Sequence, residues 1–107
     1  MRNYLFQLVV FFLALMFTGS AAWAHKVNIF AYVDAGTVYT ESYFPDGKPV
    51  INGTIEVSTE KGTVVLEGKT DDQGLFSFPL TKKQTLTLTI KATMGHTNSF
   101  IIEQSDM

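Results

Sequence analysis

Apolar and polar residues alternate through most of the second half of the chain. The clearest stretch is Thr85-Leu86-Thr87-Leu88-Thr89-Ile90-Lys91-Ala92. Leu86, Leu88, Ile90 and Ala92 share one side of an extended chain, and three Thr and Lys91 share the other. A period of 3.6 would scatter those four apolar residues around a helix, so a strand with one solvated face is predicted. Val27, Ile29, Ala31 and Val33 alternate with Asn28, Phe30 and Tyr32, a strand with apolar residues on both faces. Asp34-Ala35-Gly36 turns it into Thr37 to Phe44, which completes an opening hairpin. Pro45-Asp46-Gly47-Lys48-Pro49 breaks the pattern. Further strands follow around Ile55 to Ser58, Val64 to Leu66, Leu75 to Phe78 and Ser99 to Glu103, separated by Glu60-Lys61-Gly62 and by Thr70 to Gly74. Seven short strands joined by tight turns leave no room for crossover helices. The expected fold is all-β, a seven-stranded antiparallel Greek-key sandwich.

The N-terminal 24 residues read differently. Arg2 supplies a positive charge, and Tyr4 to Phe17 is an apolar run interrupted only by Gln7. Thr18-Gly19-Ser20 ends the run, and Ala22-Trp23-Ala24 places small residues at the −3 and −1 positions of a signal peptidase site. The run falls short of the roughly 20 apolar residues of a membrane-spanning helix. Residues 1–24 are therefore expected to be a cleavable signal helix, with a retained signal anchor as the alternative, and residues 25–107 the exported domain, periplasmic or otherwise extracytoplasmic.

Composition narrows the partners. From residue 25 onward there are seven Lys and no Arg against ten Asp and Glu, a net charge of −3 with His neutral. An acidic, Arg-free surface argues against nucleic acid and anionic lipid. The chain has no Cys, so neither disulfides nor thiol chemistry is available. No nucleophile elbow surrounds Ser58, Ser77 or Ser99, and Asp71 and Asp72 are adjacent, pointing to opposite sides of an extended chain. The expectation is a non-enzymatic domain whose fold requires no cofactor.

Two histidines remain. Cleavage after Ala24 makes His25 the N-terminal residue, offering its α-amine and its imidazole Nδ1 as a chelate for Ni²⁺, Co²⁺ or Cu²⁺. An α-amine titrates near about 7.7 to 8.0, so a metal ion displaces its proton readily around neutrality. His96 lies in Met94-Gly95-His96, between the last two strands. If the first and last strands ran side by side in parallel, His96 would approach His25 as a third ligand, with the Met94 thioether as a weaker candidate.

Two resemblances bear on these readings. Lys48-Pro49-Val50, Gly53, Ile55, Val57, Leu66 to Asp71 and Gly74 to Phe78 resemble the carboxypeptidase regulatory-like domains, which are transthyretin-like, seven-stranded sandwiches. In that stretch Asp71 is expected to cap the turn, Gly74 to take a backbone angle barred to other residues, and Phe76 or Phe78 to plug the core. The start His25 to Val33, the segment Gly36 to Phe44 and the late Ala92 to His96 are similar to exported accessory components of nickel and cobalt energy-coupling-factor transport systems. The resemblance implies a divalent metal ion as cargo, a membrane transporter subunit as partner, and His25 and His96 close to the metal. Some such proteins carry a C-terminal membrane helix. This sequence ends at Met107 without one, so contact with the membrane is expected only through the partner. A structural interaction or cell-surface module, with Phe30, Tyr32, Tyr39 and Tyr43 as its contact face, and a copper-handling periplasmic protein are the alternatives.

Overall fold

A computed structural model describes residues 26–107 and the isolated Gln7. The proposed signal helix, its cleavage site and His25 lie outside the described residues. Seven strands follow one another: β1 (Asn28–Asp34), β2 (Thr37–Tyr43), β3 (Thr54–Thr59), β4 (Val64–Lys69), β5 (Leu75–Pro79), β6 (Leu86–Lys91) and β7 (Thr97–Ile102). They form two antiparallel sheets. One has three strands in the order β1-β2-β5, and the other has four in the order β4-β3-β6-β7. The chain passes between the sheets after β2, after β4 and after β5.

Alternation determines which residues meet between the sheets. Leu86, Leu88 and Ile90 of β6 are buried, as are Ile55 and Val57 of β3, while Thr87 and Thr89 are only half-buried. From the three-stranded sheet come Ile29, Ala31, Val38 and Phe78. Val27, Val50 and Ile102 close the ends of this cluster, and Phe76 and Phe100 pack against it. Burying an aliphatic side chain of this size stabilises the fold by about 1.5–3 kcal/mol, so the cluster is the main favourable contribution.

The turns follow their residues. Ala35 and Gly36 both take positive φ (48° and 79°), the backbone of a two-residue hairpin loop whose twist matches its strands. Asp71 caps the β4–β5 connection as expected: its Oδ1 accepts from the amides of Gln73 (2.8 Å) and Leu75 (2.9 Å). Gly74 has φ 77°, and a Cβ there would stand 2.3 Å from the Ser42 carbonyl oxygen, so both the angle and the space demand glycine. Just before the turn, Thr70 is buried; its hydroxyl donates to the Val50 carbonyl (2.5 Å) and accepts from the Gly53 amide (2.8 Å). Phe78 is in the core, and Phe76 lies over Gly68, where a Cβ would strike the ring at 2.2 Å.

One detail goes beyond the sequence reading, and a second departs from it. β4 begins at Val64 but leaves Val64 and Val65 exposed, because its register against β3 shifts between Val57 and Ser58 and β4 is an edge strand. β1 and β7 do not pair within one sheet. β1 hydrogen-bonds to β2 and β7 to β6, so the first and last strands are outer strands of different sheets.

Candidate functional site

Although β1 and β7 share no ladder, their beginnings meet. The Asn98 side-chain amide donates from Nδ2 to the Val27 carbonyl at 2.9 Å. This bond joins the residue before β1 to the second residue of β7. The parallel pairing expected from sequence is replaced by contact across the gap between the sheets. Both strand starts therefore lie at the end of the molecule that carries the β6–β7 turn.

That turn is a single 3-10 turn, Thr93–Gly95, and it departs from helical geometry at Met94 (φ 61°). Its base is closed by the Ala92 amide, which donates to the His96 carbonyl at 2.8 Å. Left-handed backbone at consecutive residues 94 and 95 turns the chain sharply and lifts Met94 into solvent, where it is 88% exposed. His96 returns toward the body of the protein. It is half-buried, and its ring stands edge-on to Phe44 with centroids 6.4 Å apart. Met94 and His96 thus share one turn with different surroundings: a thioether in water, and an imidazole braced by an aromatic ring. His25 lies outside the described residues. Among those described, no group of three or more His, Cys, Asp and Glu side chains is placed to hold a metal ion.

A second region was only half legible. In β1, Ile29 and Ala31 face inward, while Phe30 and Tyr32 face outward. In β2, the inward residues are Val38, Thr40 and Ser42, and the outward ones are Tyr39, Glu41 and Tyr43. Phe30, Tyr32, Tyr39 and Tyr43 retain 38–46% of their surface. Register makes them neighbours: Tyr32 stands opposite Tyr39, and Phe30 opposite Glu41. The Tyr32 and Tyr39 rings stack at 5.3 Å with planes 20° apart. Phe30 lies 6.1 Å from Tyr32, and on its other side makes a T-shaped contact with Phe100 at 5.6 Å. A row of four rings therefore runs across the outer face of the three-stranded sheet and over its seam with β7. The opening hairpin indicated these aromatic residues, but with both faces of β1 apolar, alternation alone does not say which face is outside.

Comparison with known proteins adds little beyond the fold. No protein-family model matches the chain. The chain is 32% identical over 83 residues to an uncharacterized protein of Haemophilus influenzae. The alignment covers 75% of this chain and 52% of that protein, so the chain spans about half the length of this curated relative.

Proposed function

We propose that the protein is an exported, non-enzymatic accessory domain that presents Ni²⁺ or Co²⁺ to a membrane transporter. In this reading residues 1–24 are removed as a signal peptide, and the two sheets form a Greek-key, transthyretin-like sandwich that carries the metal-binding end. The single observation supporting it is the Asn98–Val27 hydrogen bond, which ties the chain two residues beyond His25 to the strand that follows His96. The freed α-amine and imidazole of His25 close a chelate ring on the ion. His96 approaches from the neighbouring turn, and Met94 offers a soft donor above it. Two or three protein ligands leave coordination positions open, which favours passing an ion onward over storing it. Because the His25 amine must lose its proton to bind, affinity rises with pH through the amine's titration range.

Calorimetric titration with Ni²⁺ and Co²⁺ tests this, using chain beginning at His25. Binding should be lost when one residue is added before His25 and weakened by His96→Ala. Absence of heat, or equal heat with the added residue, overturns the reading. Cu²⁺ binds nitrogen sites more tightly than either ion whatever the physiological cargo, so metal content after growth in limiting nickel or cobalt is the measurement that separates copper handling from uptake.

A further inference from the structure

We propose that the outer face of the three-stranded sheet is a docking surface for a basic, Lys- or Arg-bearing peptide segment of a partner protein, independent of His25 and His96. Two adjoining grooves open on this face. The larger, about 470 Å³, is lined by Tyr32, Tyr39, Glu41, Asp71, Leu75 and Ser77. The other shares Glu41 and Leu75 with it and adds Tyr43 and Asp72. Neither is lined by a lysine or arginine. Among the described residues, three tyrosines and three carboxylates thus border these adjoining grooves, and no lysine or arginine does.

That combination selects for positive charge. A guanidinium or ammonium over a tyrosine face is attracted by the ring quadrupole, and a neighbouring carboxylate adds charge-assisted hydrogen bonds. The geometry is held before any ligand arrives. Asp71 is anchored through Oδ1 by two backbone amides, and the turn makes no use of its Oδ2. Tyr39 is braced by its stack on Tyr32. Charge also decides among occupants. A second copy of this chain would bring another acidic surface, since residues 25–107 carry a net charge of −3 with His neutral. An anionic membrane is repelled for the same reason. The outer face of the four-stranded sheet provides an internal contrast: there Lys91 pairs with Glu56 at 2.6 Å and Lys69 donates to Thr54 at 2.7 Å, so its cations are already engaged.

The test is titration of the ¹⁵N-labelled full-length protein with a blocked tetra-arginine peptide, beside blocked tetra-glutamate and maltohexaose. Tetra-arginine should shift the amides of Tyr32, Tyr39, Glu41 and Ser77 and leave β6 unmoved. Its affinity should fall as salt rises to about 150 mM, because the charges are solvent-facing. Glu41→Lys should weaken binding about tenfold or more, Glu41→Gln less, and Glu67→Lys on the other sheet should leave it unchanged. Thermal unfolding of each variant establishes that it is folded. The proposal is overturned if tetra-arginine shifts nothing at millimolar concentration, if its shifts map to the four-stranded sheet, or if Glu41→Lys binds like the parent. Equal binding of maltohexaose would make the face a saccharide site. Concentration-dependent shifts of the same amides without peptide would make it a self-interface. Either result also overturns the proposal.

Discussion

The two sheets bury similar inner faces and present opposite outer ones. On the four-stranded sheet the solvent side pairs its polar groups, Lys91 to Glu56, Thr89 to Ser99 at 2.9 Å and Lys69 to Thr54, and among the described residues exposes aliphatic Ile101 but no aromatic ring. On the three-stranded sheet the solvent side carries Phe30, Tyr32, Tyr39, Glu41 and Tyr43 and no lysine. The first is what a folded domain needs to stay dissolved. The second leaves aromatic surface in water that the fold itself does not require, which is the usual mark of a recognition surface. Within one small domain, then, one sheet turns paired polar side chains to water and the other turns exposed aromatic rings beside a row of carboxylates, the face proposed above for docking.

Substitutions can break this comparison at several depths. The deepest lies where the sheets are equivalent. Leu88→Ala in the four-stranded sheet should cost about 2–5 kcal/mol in denaturant unfolding, and Val38→Ala in the three-stranded sheet somewhat less, because both empty a shared core. Next comes the crossing from one sheet to the other. Gly74→Ala should cost about 1–3 kcal/mol, since a methyl group must displace the Ser42 carbonyl and hold a positive φ. The outer faces should then separate: Tyr39→Thr is expected to cost less than about 1 kcal/mol of stability, chiefly the lost stack on Tyr32, while abolishing most tetra-arginine binding.

Smaller effects sharpen the picture. Among the described residues the buried Ser42 hydroxyl has no hydrogen-bond partner, so Ser42→Ala should raise stability, by about 0.5–1 kcal/mol, in the same unfolding assay. The smallest effect is on the solvated sheet. The hydrogen bond to Glu56, followed by its charge, raises the Lys91 pKa above the ordinary lysine value. A raised pKa contributes stability that is fully present below the ordinary value near 10.5 and is lost as pH rises through the folded value. Lys91→Met should therefore differ slightly from the parent at neutral pH, and that difference should vanish in strongly alkaline unfolding titrations. The pair is solvent-exposed and salt weakens it.

How much of this was legible in the sequence depended on local contrast. β6 could be read outright because Leu86, Leu88 and Ile90 alternate with threonines, so period and sidedness appear together. The Asp71–Gly74 turn could be read because a cap and an obligate glycine act over a few residues. β2 could be located but not oriented. Its inner positions are Val38, Thr40 and Ser42 and its outer ones Tyr39, Glu41 and Tyr43, so hydropathy is nearly inverted across the strand. Thr40 tolerates burial because its hydroxyl donates to the Phe76 carbonyl at 2.9 Å, a partner 36 residues away that local pattern does not reveal. Strand neighbours were illegible for the same reason. That β2 pairs with β5, or that β1 and β7 end in different sheets, depends on long-range packing. Of the residues proposed as metal ligands, only the turn holding Met94 and His96 is described, and its left-handed backbone was signalled by Gly95 alone.

The seam between β1 and β7 has a mechanical consequence. Above the core, the Asn98–Val27 hydrogen bond and the Phe30–Phe100 ring contact join the two strands across this boundary, where β1 and β7 share no backbone ladder. Opening there breaks no backbone ladder, but the first hairpin stays paired to β5 through β2, so it is the outer strand β1 whose amides should exchange with deuterium ahead of those in β3 and β6. A ligand bridging residue 25 and the β6–β7 turn would act as a clasp on that boundary. Deuterium uptake in β1 would then report occupancy at the far N-terminus without any probe on the metal itself.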